Sequence, residues 1–262
     1  GFSTKNSSVG SFNSPYVEWI ITVFMLLAGI NFSIHFKVLT GRLKNILKDS
    51  ELKAYLGIVV FSTSLTAYYL YGSAYSSVAD SIRYSAFQVI SILTITGFAT
   101  ADYEIWGTVP QIIIFMLMFV GGCSGSTGGG IKVIRVVSLL KQAFNEMKYL
   151  LHPKGVFILK ISGNTIKKDI IYAISGFFFL YISTALVVSL MVALSGVDVL
   201  TSFTTALTAL GNIGPGFGLV GPSENFAFLK DYVKWILSFA MIAGRLEIYT
   251  FLIIFLPYFW KS

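Results

Sequence analysis

Three glycine-containing turns recur along the chain, and their composition suits the coordination of a cation. They are GFST at 1–4, TGFAT at 96–100 and NIGPGFG at 212–218. Glycine permits the positive φ that inward-facing carbonyl groups require, and carbonyl oxygens can replace the hydration shell of sodium or potassium. An alternative is that these glycines only allow helices to pack closely. The recurrence of the turn, each time at a comparable distance before an interrupted apolar segment, favours coordination.

A short apolar segment precedes each of the two complete turns and predicts the helix that positions it. These segments cover about 79–93 and 199–210, and both are too short to cross a bilayer, which takes about 20 residues. Asp80 and Asp198 stand near their starts and are predicted to cap the two helices. Such re-entrant helices end within the membrane and direct the negative ends of their dipoles toward the turns.

A run of six glycines within 121–132, GGCSGSTGGGIK, interrupts an apolar stretch at 109–147. Each glycine in a helix interior costs about 1 kcal/mol relative to alanine, so we expect an irregular loop here. Irregular backbone at membrane depth must line a water-filled pore or lie against other protein. A packing kink is the alternative, but a kink needs only one or two glycines.

Two enzymatic interpretations of the glycine run fit the residues poorly. A phosphate-binding loop requires G-x-x-x-x-G-K-[ST], but Ile131 stands between the last glycine and Lys132. An intramembrane serine protease would use Ser124, within the string GCSG, and would need a histidine base close to it. His35 is the candidate base, and it is predicted at the cytoplasmic end of its span. We therefore expect no enzymatic activity.

The composition predicts an all-α polytopic membrane protein. Of the 262 residues, 55% are hydrophobic and 12% are charged, whereas soluble domains contain about 25% charged residues. The candidate spans are at about 16–36, 54–75, 109–147, 169–195 and 228–259. A single cysteine excludes an internal disulfide and disfavours a cysteine-ligated metal cluster. We expect no cofactor in this chain.

The basic residues predict how the chain is oriented. Thirteen of the 19 Lys and Arg residues fall within 37–53 and 132–168, so both loops are expected in the cytoplasm and the glycine turns face outward. The net charge of +7 therefore indicates contact with anionic lipid heads or a cytosolic partner rather than with nucleic acid. Glu18 and Asp169 are interpreted as interface or packing residues.

Arg245 lies near the middle of the last candidate span. A central charge costs about 2.5–3.5 kcal/mol on insertion scales, so it needs partners. Pore water and the carbonyl groups of the glycine run are the expected partners. Glu247 should point to another face of the helix and should not pair with it directly. The alternative is an arginine that snorkels to an interface.

The chain divides into repeats of span, short helix, glycine turn and interrupted span. We place an incomplete repeat with a cytoplasmic linker at 1–53 and complete repeats at 54–168 and 169–262. The chain is expected to begin inside the turn of an earlier repeat. A secondary cation transporter with broken helices is the alternative to a channel, but transporter repeats are usually inverted, whereas these run in the same sense.

Four strings together resemble the TrkH/KtrB superfamily of bacterial potassium uptake channels: TITGFATADYEIW, GGCSGSTGGGIKVIR, GNIGPGFG and GRLEIYTFLIIFLPYFW. The resemblance implies four unequal helix–pore helix–helix repeats around one pore, with this chain covering the second-repeat filter onward. It also implies potassium as the transported ion, with sodium left open as a second one. It further implies a place in the bacterial inner membrane, a homodimer, and a cytosolic nucleotide-binding ring as regulatory partner. Nucleotide would act only through that partner.

The resemblance further implies roles for individual residues. The filter carbonyls, which would hold potassium, would come from Gly1, Ile95, Thr96, Gly97, Phe98, Asn212, Ile213, Gly214 and Pro215. The gate would be an intramembrane loop that comprises Gly121, Gly122, Gly125, Ser126, Thr127, Gly128, Gly129 and Gly130, together with Arg245.

Overall fold

The computed structural model describes residues 3–41 and 48–260, which form an all-α fold with one short β-hairpin. The helices, in chain order, are α1 (Pro15–Ala28), α2 (Phe32–Leu39), α3 (Ser50–Leu70), α4 (Val78–Leu93), α5 (Thr108–Leu117), α6 (Val133–Leu151), α7 (Lys168–Ala193), α8 (Val199–Gly211), α9 (Asp231–Arg245) and α10 (Ile248–Ile253). The predicted all-α class is confirmed. Gly1, the first predicted filter residue, lies outside the described residues.

Two sets of three helices pack in the same way. The long helix α3 packs against the short helix α4, and α5 packs against both of them. The same three-way packing joins α7, α8 and α9. The short helices predicted at 79–93 and 199–210 agree with α4 and α8 to within a residue at each end.

The helix after each turn is interrupted, in agreement with the interrupted apolar segments expected from the sequence. The bend between α1 and α2 is 99°. α5 is separated from α6 by the glycine run, and α9 ends at Arg245, before α10 begins. The candidate spans at 16–36 and 228–259 are therefore not single helices.

Close packing on the short helices accompanies two of these interruptions. A Cβ atom on Gly29 would lie 2.7 Å from Cγ2 of Thr94, at the end of α4. A Cβ atom on Gly244 would overlap the carbonyl oxygen of Leu210 in α8. Gly29 and Gly244 thus allow close packing against the short helices at these two interruptions.

Few helices of the described residues are long and apolar enough to cross a membrane. Within residues 3–41 and 48–260, α7 is the one unbroken helix long and apolar enough to cross a membrane, and the bent pair of α1 and α2 would make a second span if counted as one. α5 and α8 are apolar but have only 10 and 13 residues.

The β-hairpin lies in the basic segment 132–168, after α6. Its strands β1 (Lys160–Ile161) and β2 (Asn164–Thr165) are antiparallel, with Lys160 opposite Thr165. The two turn residues both have positive φ, 49° at Ser162 and 84° at Gly163. This is the backbone sense of the two-residue turns that suit the twist of a hairpin.

Glu18 joins the incomplete repeat to the next one. It is buried in α1, and its carboxylate lies 3.3 Å from Nε of Arg83 in α4. A buried charge is costly without a partner, so removing either residue would leave an uncompensated charge between α1 and α4. Of the two residues interpreted together, Glu18 acts in packing, whereas Asp169 is exposed in the first turn of α7.

One of the two predicted helix caps is confirmed and the other is wrong. The side chain of Asp198 accepts a hydrogen bond from the N–H of Thr201 at 3.0 Å at the start of α8. In α4, Ser77 occupies the cap position, and Asp80 lies within the first turn. There Asp80 pairs with Arg83 at 2.8 Å, because the guanidinium one turn away attracts its carboxylate.

Replacing Asp198 with Ala should destabilise the full-length protein by about 1 kcal/mol, the usual value of a helix cap. Asp198→Asn keeps an acceptor oxygen but not the charge, so its stability at pH 7 should lie between those of the Ala variant and the parent protein. Hydrogen bonds from Thr201 hold the pKa of Asp198 below its usual range. The added stability is therefore present above the pKa of the unfolded carboxyl and is lost as the pH falls through the native pKa. Thermal unfolding in detergent measures both effects, and equal midpoints for the Ala and Asn variants would contradict the cap.

Candidate functional site

The two turns end their helices in the same way. α4 and α8 are each followed closely by a residue with a φ of 60°, Ile95 and Asn212 respectively. The next N–H group, from Thr96 or Ile213, donates to a carbonyl five residues back in the helix, in both cases at 2.9 Å. This hydrogen bond is that of a Schellman C-cap. The two turns are therefore equivalent in this part of their backbone.

Besides Asn212, three residues within 95–98 and 212–215 have positive φ angles. Gly97 and Gly214 have φ values of 75° and 113°, which confirms the predicted use of glycine at these positions. Ile95 is β-branched and still has a positive φ. Such a conformation costs about 1–3 kcal/mol and persists only where the surroundings enforce it, as they often do at functional sites.

The fold brings the two turns into contact. A Cβ atom on Gly97 would overlap the carbonyl oxygen of Ile213 and would lie 3.2 Å from Cδ of Pro215. A Cβ atom on Gly214 would lie 3.9 Å from Cα of Gly97. The two turns therefore meet where Gly97 lies against residues 213–215, with no room for a side chain at Gly97.

Hydroxyl groups of the short helices support the extended segments that follow the turns. Oγ of Ser91 donates to the carbonyl oxygen of Phe98 at 2.6 Å. Oγ1 of Thr204 lies within hydrogen-bonding distance of the carbonyl oxygen of Phe217, at 3.0 Å, and of its N–H group, at 3.1 Å. Both hydroxyl-bearing residues are buried. Each turn is thus held by the helix that precedes it.

Tyr103 and Glu104 link the two repeats beyond the turns, and the sequence analysis missed both. The hydroxyl of the buried Tyr103 donates to the carbonyl oxygen of Gly216 at 2.6 Å. Glu104 accepts a hydrogen bond from the N–H of Gly218. Burial raises the pKa of Glu104, and this hydrogen bond opposes the rise. The sequence signal was only a Tyr–Glu pair shortly after the turn, which is unremarkable in a loop.

The glycine run lies against the base of both turns. A Cβ atom on Gly128 would be 3.2 Å from the carbonyl oxygen of Thr94. One on Gly129 would be 2.9 Å from the carbonyl oxygen of Gly211. Since α4 and α8 end at these positions, the loop crosses the negative ends of both helix dipoles.

The run is irregular, as predicted, and it is tied to the interruption between α1 and α2. The N–H of Cys123 donates to the carbonyl oxygen of Gly29 at 2.9 Å. The carbonyl oxygen of Gly125 accepts from the N–H of Phe32 at 3.1 Å. These two bonds satisfy backbone groups of both irregular segments within the protein, as irregular backbone at membrane depth requires.

Arg245 contacts the loop through a carbonyl, as predicted. Its Nη1 donates to the carbonyl oxygen of Thr127 at 2.6 Å. It stands at the end of α9 rather than in the middle of a span, and a helix C-terminus favours a cation. Lys132 donates from Nζ to the carbonyl oxygen of Gly128. Two cationic side chains therefore bind neighbouring carbonyls of the same loop.

A cavity of about 320 Å³ lies beside this stretch of the loop. Gly125–Gly130, Lys132, Phe177, Gly244, Arg245 and Glu247 line it. Glu247 pairs with Arg135 at 2.7 Å, which agrees with the expectation that it does not pair directly with Arg245. The loop, the end of α9 and the charged side chains thus surround one polar space.

In the protease interpretation, the histidine base is bound elsewhere, and the backbone of the serine is held by a carboxylate. The N–H of Ser124 donates to Oε1 of Glu51 at 2.6 Å. Nε2 of His35 lies 2.9 Å from the carbonyl oxygen of Leu27. The histidine ring is thus engaged by the backbone of its own segment.

The family model described as "TrkH: Cation transport protein" matches residues 1–261. The chain belongs to the TrkH family. Members of this family are cation transport proteins and not enzymes, so the serine protease alternative is wrong.

Curated relatives with the TrkH name match along the whole chain. The "Trk system potassium uptake protein TrkH" of Salmonella typhimurium is 38% identical over 264 residues, which cover 100% of this chain and 54% of that protein. The protein of the same name from Halomonas elongata is 36% identical, again over 100% of this chain and 54% of the relative. This chain therefore spans about half the length of the curated relatives it matches.

A solved TrkH structure has the same fold. The crystal structure of the potassium transporter TrkH from Vibrio parahaemolyticus matches with a TM-score of 0.92 and 35% identity. The match covers 99% of this chain and 56% of that one. The fold of this chain is thus that of an all-helical membrane transport protein.

Proposed function

We propose that this chain contributes half of the pore of a potassium uptake channel. The observation that carries the proposal is the meeting of the two glycine turns at Gly97 and Ile213, with the glycine run across their base. The names of the relatives, which are potassium uptake proteins, support potassium as the ion.

In this proposal, each of the two turns contributes one backbone segment to a selectivity filter. The ion would be coordinated by carbonyl oxygens of residues 95–98 and 212–215, and Gly1 would belong to a third such segment. Two facts support these roles. The turns share the same backbone geometry, and both follow a helix whose negative dipole end lies beside them. Carbonyl oxygens held in this way suit a monovalent cation.

The glycine run, residues 121–130, is proposed as the gate. It lies against Thr94 and Gly211, so an ion that leaves the turns on that side meets the loop. Arg245 holds the loop through Thr127 and adds a positive charge beside the path, which raises the barrier for a cation.

The proposed setting is the bacterial inner membrane, with segments 37–53 and 132–168 in the cytoplasm and the turns facing outward. Exposed lysines in the second segment support contact with anionic lipid heads and with a cytosolic nucleotide-binding ring: Lys148, Lys154, Lys160, Lys167 and Lys168. The word "system" in the relatives' names fits a complex of several components. A homodimer is the proposed state of the full-length protein.

Ion flux through the full-length protein in liposomes tests this function. Rubidium, a potassium analogue, should enter at a rate that follows the imposed membrane voltage and does not depend on a second ion. Sodium in place of rubidium should give a smaller flux. Saturating uptake with a fixed stoichiometry to protons or sodium would instead identify a secondary transporter, and the absence of rubidium uptake in folded protein would refute the proposal.

A further inference from the structure

Glu51 is a buried carboxylate beside the glycine run. It lies in the first turn of α3 and is 7% exposed. Its Oε1 accepts two backbone hydrogen bonds, from Ser124 at 2.6 Å and from Ile134 at 3.2 Å. Ser124 belongs to the glycine run, and Ile134 lies in the first turn of α6, immediately after it. One oxygen atom therefore binds both the glycine run and the start of the helix that follows it.

Glu51 also supplies a cap that α6 lacks. Lys132 occupies the cap position of α6, and its side chain makes no capping hydrogen bond to the helix. Glu51 takes that role from another helix by accepting the N–H of Ile134. The positive dipole ends of α3 and α6 both lie near its carboxylate, which stabilises the negative charge in a buried position.

The backbone of Glu51 is held firmly in place. Asp49 caps α3, and its Oδ1 accepts the N–H groups of Glu51 at 2.9 Å and Leu52 at 3.0 Å. One turn along, the hydroxyl of Tyr55 donates to the carbonyl oxygen of Leu26 in α1 at 2.9 Å. These hydrogen bonds fix the start of α3, so the side chain of Glu51 can hold the loop in one position.

We propose that Glu51 is a positioning residue that keeps the glycine run in its closed position across the base of the turns. The inference rests on the proposed gating role of this loop. Loss of the carboxylate frees the N–H of Ser124 and leaves the start of α6 without a cap. The glycine run can then move away from the turns.

Cys123 provides a reporter of this movement. It is fully buried and precedes Ser124 directly. The experiment uses the full-length protein in liposomes, with Cys123 as its sole cysteine, and measures the rate at which a methanethiosulfonate reagent modifies it, together with rubidium flux. Glu51→Ala should speed modification by about tenfold or more, because both backbone hydrogen bonds to the carboxylate are lost, and should raise flux in parallel.

Three further variants make the test specific. Glu51→Gln keeps an acceptor oxygen at the same reach and should stay within about twofold of the parent protein. Glu51→Asp withdraws the oxygen by one methylene group, should give an intermediate rate, and decides the question if the Ala variant does not fold. Asp231→Ala is the matched control, because Asp231 is an exposed carboxylate in the first turn of α9 and should change nothing.

Each outcome bears on the proposal. Faster modification and higher flux in the Ala and Asp variants, with the Gln variant unchanged, support it. Unchanged modification and flux per folded molecule, with only a lower melting temperature, would show that Glu51 serves folding alone and would overturn it. The gate itself is tested by deletion of the loop. If that deletion raises flux while Glu51→Ala does not, this inference fails and the proposed gate stands.

Discussion

Deleting residues 126–130 from the full-length protein should raise rubidium flux by about tenfold, which corresponds to a barrier lowered by about 1.4 kcal/mol. The deletion removes the backbone that contacts the ends of both short helices at Thr94 and Gly211. It also removes Thr127 and Gly128, whose carbonyls bind Arg245 and Lys132. The measurement is the initial rate of rubidium uptake into liposomes, per folded protein.

Arg245→Ala tests the same barrier by removing a side chain that binds the loop. It breaks the 2.6 Å hydrogen bond to Thr127 and removes a positive charge beside the path, so flux should rise. The rubidium flux of a variant that carries both changes should be only slightly higher than that of the deletion variant, because both changes remove the same barrier. Arg245→Lys keeps the charge and is the matched control. A lower or equal flux in the folded deletion variant would argue against a gate, and effects that simply add would assign Arg245 to folding.

Replacing Gly97 with Ala should lower the preference for potassium over sodium by about tenfold or more, equivalent to about 1.4 kcal/mol. The added methyl group would overlap the carbonyl oxygen of Ile213, and Gly97 has a φ of 75°. The substitution therefore strains one turn and displaces a proposed ion ligand of the other. Rubidium and sodium fluxes, measured on the same liposome preparation, give the ratio.

Two other glycines serve as comparisons for Gly97. Gly214→Ala should also lower the preference, through backbone strain alone, because its φ is 113° but a Cβ atom there would lie 3.9 Å from its nearest neighbour. Gly57→Ala, in the exposed face of α3, meets no atom within 4 Å and should leave the ratio unchanged. An unaltered ratio in the Gly97 variant would remove the turns from the proposed filter.

The turns could be predicted because their signals are local. The helices before them could be delimited to within a residue, since a short apolar segment flanked by turn residues carries its own boundaries. Gly97 and Gly214 were correctly expected to need glycine. The loop at 121–130 was correctly expected to be irregular, because six glycines cannot sustain a helix.

Local sequence patterns gave wrong predictions at the start of α4 and in the last candidate span. Asp80 is of a residue type that often caps helices. Ser77 occupies the cap position instead, and Asp80 pairs with Arg83, one turn later in α4. Hydropathy alone also predicted a span at 228–259, whereas α9 ends at Arg245. Apolar composition is compatible with either a continuous or an interrupted helix, and the packing of Gly244 against Leu210 accompanies the interruption.

The sequence by itself determined the helical class, the repeated turn and the glycine run, because each depends on residues that are neighbours in the chain. Tertiary structure alone decided how these parts meet. Glu51 reaches a residue 73 positions away, and Tyr103 and Glu104 reach residues 113 and 114 positions away. No periodicity encodes such contacts, since the partners are backbone groups whose positions depend on the packing of the helices.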